Sequence, residues 1–461
     1  MIVLKKILYK LCSTTFFIYL MLFNCNIVYA YENDNFSLAI KSAFQNSLKI
    51  KSGNFKFLSK QKLLKSSNES KDWDSSFTSS INLNNKMYDN EGSYQSDETF
   101  VNTFKLSKKL IDGGIAYNQH KIALSNSLIE KNNFLETKQS VIVETIKSYI
   151  DLYKSQKSLE LREKSVNKFS TLVNSSKLKL KAGAITPTTV AEAEASLARA
   201  KYLLVKTKSE LNNYRSLFLS KVGEDFDIKS LNLPKVFINL PKSQKEALSL
   251  AFENNPIILN AKIKRKLALL KRDKEVSANK PTLDFDINYK NSESSTTSSA
   301  NDFQSYGTTL LFKTPLFYKS SNKFTILSLN NEYQALVEDE KEANRVVKLQ
   351  VLSKFNDYKN SSLNIKAALK ELSAAKLALE GIKKEEEFGM RTLLDVLDYE
   401  VKVTNSELNL ISSMSNEVLQ KYELKKVVGT LTIDDIIKNY KMQNTENDFF
   451  NLPSIFEIDF K

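Results

Sequence analysis

The side chains best placed to do chemistry stand in one stretch, Gly389-Met390-Arg391-Thr392-Leu393-Leu394-Asp395-Val396-Leu397-Asp398. Asp395 follows Thr392 by three residues, close to the spacing at which a helix-capping threonine and an acid satisfy each other's orphan amides. Asp398, three residues further on, falls on the same helix face as Asp395. Two such carboxylates can cap a helix, stand in solvent or present like charge to cations. Nothing nearby equips them for catalysis. His120, the single histidine, has no ligand cluster around it in the sequence and reads as a helix-surface residue. No nucleophile, phosphate loop or ligand-spaced metal set is visible, so the chain reads as neither an enzyme nor a cofactor binder.

Much of that stretch appears once before, in KAGAITPTTVAEAE from Lys181. With Gly183 aligned on Gly389, an offset of 206 residues also pairs Thr186 with Thr392, Val190 with Val396, Glu194 with Glu400 and Gly223 with Gly429. Earlier in each half, Ala39 and Ala43-Phe44-Gln45-Asn46 match Ala247 and Ala251-Phe252-Glu253-Asn254 at an offset of 208. The chain is a tandem duplication with a period far longer than the ~20–50 residues of solenoid repeats. Its expected organisation is a first repeat over 31–230, a linker over 231–242, a second repeat over 243–430 and a tail over 431–461. The two repeats form one body.

Each turn is specified locally. Gly183 and Gly389 suit the left-handed residue after a helix end. Thr186 and Thr392 suit the next N-cap, and Pro187 the first helical position. The long stretches from Gly114 to Gly183 and from Leu316 to Glu380 have neither glycine nor proline in their interiors, and a helix of such length spans on the order of 100 Å. After each turn, Val190, Leu197, Leu204 and Leu211, then Val396, Val403 and Leu410, recur every seven residues. Ala193, Ala200, Thr207 and Tyr214, then Tyr399, Ser406 and Ser413, fill the companion positions of a coiled-coil seam. Glu417 breaks the second seam, and the packing is expected to change there. Each half is therefore a long helical hairpin.

A period of two precedes each hairpin. Leu283, Phe285, Ile287 and Tyr289 alternate with Asp284, Asp286, Asn288 and Lys290, and FQSYGTTLLFKTP follows. The first half offers SSFTSSINLNN and TFVNTFKLSKKL around the polar loop DNEGSYQSDE. These are four strands of about ten residues, the length of a tilted membrane-spanning β-strand. Residues 1–30 read as a secretory signal, with Lys5, Lys6 and Lys10, an apolar run and Val28-Tyr29-Ala30 as the cleavage site. Both cysteines, Cys12 and Cys25, leave with it; a competing reading makes Cys25 a lipid attachment point. The formal charge of +14 falls to +11 when those three lysines are removed. Lysines scattered along helices, in an exported chain, argue against a nucleic-acid partner. An exported chain with dyad strands fits an outer-membrane barrel, but four strands cannot close one, since single-chain barrels start at about eight. Three copies would supply twelve.

The sequence resembles the TolC-like outer-membrane efflux and type I secretion channels from Phe36 to about Thr430. The resemblance rests on the duplicated order of strand pair, long helix, glycine turn and helix. Its most specific pieces are Gly389–Asp398 as the second hairpin tip, KLIDGG (Lys109–Gly114) as a strand-to-helix junction, and AFENNP (Ala251–Pro256) as the opening helix of the second half. It implies a mainly α fold with a β-barrel contribution: two tandem coiled-coil hairpins and four transmembrane strands per chain. A homotrimer then forms a twelve-stranded barrel in outer-membrane lipid and a helical periplasmic tunnel. The implied function is the exit duct of a tripartite efflux or type I secretion system, working with a periplasmic adaptor and an inner-membrane transporter, without chemistry or cofactor. A periplasmic coiled-coil adaptor and a structural envelope protein are the alternatives.

Carried over by the resemblance, Asp395 and Asp398 form rings that narrow the periplasmic end of the tunnel. Arg391 is the gate latch, and Gly183, Thr186, Gly389 and Thr392 are tips where the adaptor docks. The chain departs from the family pattern at Thr189, where an acid is usual, and at Glu386, where a tyrosine is usual. The latch is then either absent or rewired from Arg391 to Glu386 or Glu387. Trp73 reads as an interfacial anchor.

Overall fold

The computed structural model describes residues 35–69, 72–88, 93–223, 226, 231–234, 236, 238–294, 302–317 and 320–437. The expected signal sequence, both cysteines and the tail beyond residue 437 lie outside the described residues. The first repeat runs through α1 (Asn35–Asn46), α2 (Leu48–Glu69), β1 (Asp74–Tyr88), β2 (Ser93–Ile111), α3 (Ile115–Lys181) and α4 (Pro187–Val222). The second runs through α5 (Gln244–Asn254), α6 (Pro256–Ser277), β3 (Thr282–Ser294), β4 (Phe303–Lys313), α7 (Ser320–Glu387) and α8 (Leu393–Val428). A 3-10 turn, Ile433–Asp435, follows.

The sequence expects two uninterrupted helices, and α3 and α7 contain 67 and 68 residues, about 100 Å each at 1.5 Å per residue. No single-chain core is that long, so α4 and α8 run back along them as hairpins. Val190, Ala193, Ala200 and Thr207 are buried in the first seam, and Val396, Val403 and Ser406 in the second. Tyr214, expected in the seam, is 38% exposed. At Glu417 the buried stripe steps forward by one position to Val418 and continues at Tyr422, while Glu417 pairs with Lys421 on its own helix at 3.1 Å.

The helices converge in two apolar clusters that duplicated residues build, Ala39 and Ala43 in the first and Ala247 and Ala251 in the second. Ala39 and Ala247 have no exposed surface, and Ala43 and Ala251 only 1%. Phe36 meets Tyr149 edge-on at 5.2 Å, and Tyr149 meets Phe218 at 6.0 Å. The start of the expected linker lies along the first cluster: Leu231 is buried and the Tyr149 hydroxyl donates to the Asn232 carbonyl at 3.0 Å. Residues at the start of the expected tail also pack, with Leu431 and Ile436 buried. Gly429, at φ +86°, lies so close to α5 that an added Cβ would stand 2.5 Å from the Asn254 carbonyl. Asn255 ties the same corner twice, donating to the Val427 carbonyl at 2.7 Å and capping α6 through Ile257 N at 2.9 Å.

The four strands form one antiparallel sheet in the order β1-β2-β3-β4, so β2 and β3 join the two repeats. They are 15, 19, 13 and 11 residues long, exceeding the expected ten. The expected polar loop is mostly strand, because Ser93–Glu98 pair with Leu83–Tyr88. Register sorts the faces cleanly. Phe77, Phe104, Tyr289 and Tyr306 align across the sheet, as do Leu106, Ile287 and Thr308. On the opposite face Thr78, Thr103, Lys290 and Ser305 align, and Lys105 pairs with Asp286 at 3.1 Å. Along β2 the apolar face carries no charge between Glu98 and Lys108. Ten residues at ~3.3 Å rise, tilted by ~40°, span about 25 Å, the height of a barrel's lipid-facing band. Trp73 stands at the end of that face, edge-on to Phe285 at 6.0 Å. No described helix is long and apolar enough to cross a membrane.

Candidate functional site: the hairpin tips

The two tips are built alike. Ala184 N donates to the Lys179 carbonyl and Gly183 N to the Leu180 carbonyl, both at 2.9 Å. Met390 N to the Glu385 carbonyl and Gly389 N to the Glu386 carbonyl repeat this at 2.8 and 2.9 Å. Both glycines have φ +72° and open space where a Cβ would point, so the left-handed backbone requires glycine here, not crowding. Thr186 and Thr392 then cap α4 and α8, accepting from Thr189 N at 3.4 Å and Asp395 N at 3.2 Å.

Asp395 completes a capping box in the second tip only. Its Oδ2 accepts from Thr392 N at 2.9 Å and from the Thr392 hydroxyl at 2.8 Å. These bonds, the backbone one foremost, hold its carboxyl below the usual aspartate value, with Arg391 adding to the effect. Asp398 is exposed one turn further along α8. In place of the usual acid, Thr189 shares a hydroxyl hydrogen bond with Thr186 at 3.1 Å.

Arg391 does not reach Glu386 or Glu387. Within the chain it pairs with Glu385, Nε to Oε2 at 2.9 Å, which raises its pKa. The turn explains the difference: the Schellman bonds bring Met390 back over Glu385, so the next side chain lies above that acid. Glu386 points the other way and meets Lys179 of the first hairpin at 2.6 Å.

A second inter-hairpin contact escaped the sequence reading. Glu400 on α8 is only 3% exposed and binds Lys168 of α3 at 2.8 Å and Lys383 of α7 at 2.6 Å. Burial pushes its carboxyl up, and the two lysines outweigh burial, leaving the pKa below the ordinary glutamate value. The signal was available in the duplication. Lys177 and Glu194 pair at 2.7 Å at the positions equivalent to Lys383 and Glu400. Glu400 also meets Lys168 of the other hairpin, beside the contact in which Leu393 and Leu397 pack on Phe169, Val173, Ala193 and Ala200, whereas Glu194 faces away from it at 51% exposure. His120 also departs from expectation: its Nδ1 lies 3.0 Å from the Ser67 hydroxyl, linking α3 to α2. Among the described residues no group of histidine, cysteine, aspartate and glutamate could hold a metal ion.

Residues 247–430 match the model of the outer membrane efflux protein family. The outer membrane efflux protein BepC of Brucella suis biovar 1 is 22% identical over 333 residues, covering 72% of each chain. The outer membrane protein TolC of Vibrio cholerae is 22% identical over 313 residues, 66% of this chain and 71% of that one. The crystal structure of the Campylobacter jejuni CmeC outer membrane channel superposes with a TM-score of 0.74 at 15% identity, over 88% of this chain and 90% of that one. The resemblance to TolC-like outer-membrane efflux channels holds in sequence and in fold. In this TolC-like chain the apolar sheet face lies in the outer membrane and the long hairpins in the periplasm. The hairpin tips are then the end of the molecule farthest from lipid.

Proposed function

We propose that the chain is one third of an outer-membrane exit duct for a tripartite efflux or type I secretion system, gated at its periplasmic tips. The observation that carries this reading is a sheet with one apolar face about 25 Å tall and two unpaired edges, joined to hairpins whose longer helices reach about 100 Å. Open strand edges in lipid leave backbone amides unsatisfied, so β1 of one copy pairs with β4 of the next until the wall closes. Three copies give twelve strands, with the Lys105–Asp286 face lining water. A coiled-coil adaptor would have no use for such a sheet.

In this duct Asp395 and Asp398 each form a ring of three carboxylates at the periplasmic mouth, and the like charge favours cations there. Arg391 belongs to the latch, through Glu385 within the chain. The turns at Gly183, Thr186, Gly389 and Thr392 present rigid knobs to a periplasmic adaptor, which connects the duct to an inner-membrane transporter. Gating moves α7 and α8 outward from the axis. The test is single-channel recording in planar bilayers. Asp395→Asn with Asp398→Asn keeps an oxygen for the cap and removes both rings, so cation selectivity falls and conductance rises. Unchanged selectivity and conductance would remove the constriction from these residues.

A further inference from the structure

Where the sheet meets the helices, a cavity of about 930 Å³ opens between the periplasmic end of β2 and the first turn of α3. Lys108, Lys109 and Lys274 line it, together with Leu110, Asp72 and Asp112. Asp112 is already occupied: its carboxylate accepts from Gly114 N and Ala116 N at the start of α3. Lys274 is anchored on Gln119 Oε1 at 2.7 Å. Lys108 follows Phe100, Phe104 and Leu106 on the apolar face and is the first cation at its lower edge, opposite Phe285 in the register. Its ammonium lies 5.2 Å from the centre of the Trp73 ring, which is 48% exposed. Leu110, which lines the cavity, and Ile111 beside it in the chain are about half exposed; at the same end of the sheet, after β4, their duplicated counterparts Leu316 and Phe317 are 83% and 89% exposed.

We infer that this cavity is a binding site for the headgroup phosphate of an anionic phospholipid in the periplasmic leaflet. The inference rests on the barrel reading, which sets the apolar face in lipid. The tryptophan and apolar rim fix the depth of the acyl-chain boundary. The lysines stand where a phosphodiester lies, with stems against apolar surface and ammonium groups at the headgroup level. A zwitterionic headgroup brings its own cation and gains less from them. Each lysine near an anionic surface is worth about a fivefold preference, so losing two predicts roughly a 30-fold loss of selectivity for anionic lipid.

Trp73 is the single tryptophan of the chain and reports on this site alone. The full-length protein is reconstituted in vesicles of phosphatidylglycerol and phosphatidylcholine, with either lipid brominated on its acyl chains, and Trp73 quenching gives the relative affinity. Wild type selects phosphatidylglycerol, and Lys108→Gln with Lys274→Gln abolishes the selection while channel conductance persists. Equal quenching by both lipids in wild type, or selection unchanged in the variant, overturns the inference and leaves the duct standing. Loss of selection in wild type on adding millimolar inorganic phosphate would assign the site to soluble phosphate, against a lipid. Failure of wild type to enter vesicles at all would remove both the site and the duct.

Discussion

Glu400 is one of the residues through which the two hairpins hold one another, beside Glu386 and the Leu393–Leu397 cluster, and its chemistry makes an asymmetric prediction. It is 3% exposed between Lys168 and Lys383, whose side chains are 51% and 46% exposed. Removing both lysines leaves a buried carboxylate without a counter-charge, which costs ~3–5 kcal/mol; solvent reaching the site moves the figure to the lower end, about 3 kcal/mol. Glu400→Gln instead leaves two ammonium groups that can turn to water and a neutral amide that keeps one acceptor, at a cost of ~1 kcal/mol. Either lysine alone should cost ~1–2 kcal/mol, because the other still neutralises the acid, so the two single losses sum to less than the double. The assay is thermal loss of the helical circular dichroism signal in detergent micelles. The acid side supplies a second reading. Because the folded pKa of Glu400 is depressed, its contribution is complete above the unfolded value of ~4.3 and lost as pH falls through the folded value. Without its lysines burial alone acts, the pKa rises, and the gap between the double variant and wild type narrows below about pH 5. A Glu400→Gln protein less stable than the double-lysine variant at pH 7, or a gap that widens in acid, would refute the staple.

Three further perturbations separate turn geometry from crowding and packing from capping. Gly389→Ala should cost ~1–2 kcal/mol from left-handed strain alone, since its Cβ meets open space, whereas Gly429→Ala must also displace the Asn254 carbonyl 2.5 Å away and should melt markedly lower. Thr392→Val removes the acceptor for Asp395 N and the hydroxyl donor to its carboxylate; melting should report a loss of ~1–2 kcal/mol, with Asp395 returning toward its ordinary pKa in carboxyl NMR titration. Asp112→Ala strips Gly114 N and Ala116 N of their acceptor, and hydrogen exchange should accelerate in the first turn of α3 while the core around Tyr149 and Phe218 stays protected.

The duplication made most of the fold legible. Residues matched by an offset of 206 or 208 turned out to share backbone angles, caps and burial, as Gly183 and Gly389 share φ +72° and Ala39 and Ala247 share complete burial. Period seven and period two exposed the seams and strands because each tracks a single buried face. What the pattern could not give was the surroundings of a side chain. Glu194 and Glu400 are equivalent in sequence, yet one is half exposed and the other enclosed, because Glu400 also lies against Lys168 of the opposite hairpin while Glu194 pairs with Lys177 of its own. The sequence leaves the partner of Arg391 open among Glu386, Glu387 and none, and within the chain it is Glu385, because the pairing depends on how far the glycine turn rotates the chain. Strand lengths were underestimated because polar residues such as Ser93 and Ser96 signal a loop in sequence, but in a sheet they only need ladder partners.

The central claim is closure of the wall by three copies, and edge-to-edge crosslinking tests it most directly. Beyond residue 25 the chain has no cysteine, so one cysteine at Thr78 on β1 and a series at Gly307, Thr308 and Thr309 on β4 introduce the only pairs at the sheet edges. Oxidised in membranes and run without reductant, at least one combination should give a ladder that ends at a covalent trimer. A chain that stays monomeric in every combination, or a ladder that runs past three, would contradict the closed twelve-stranded duct.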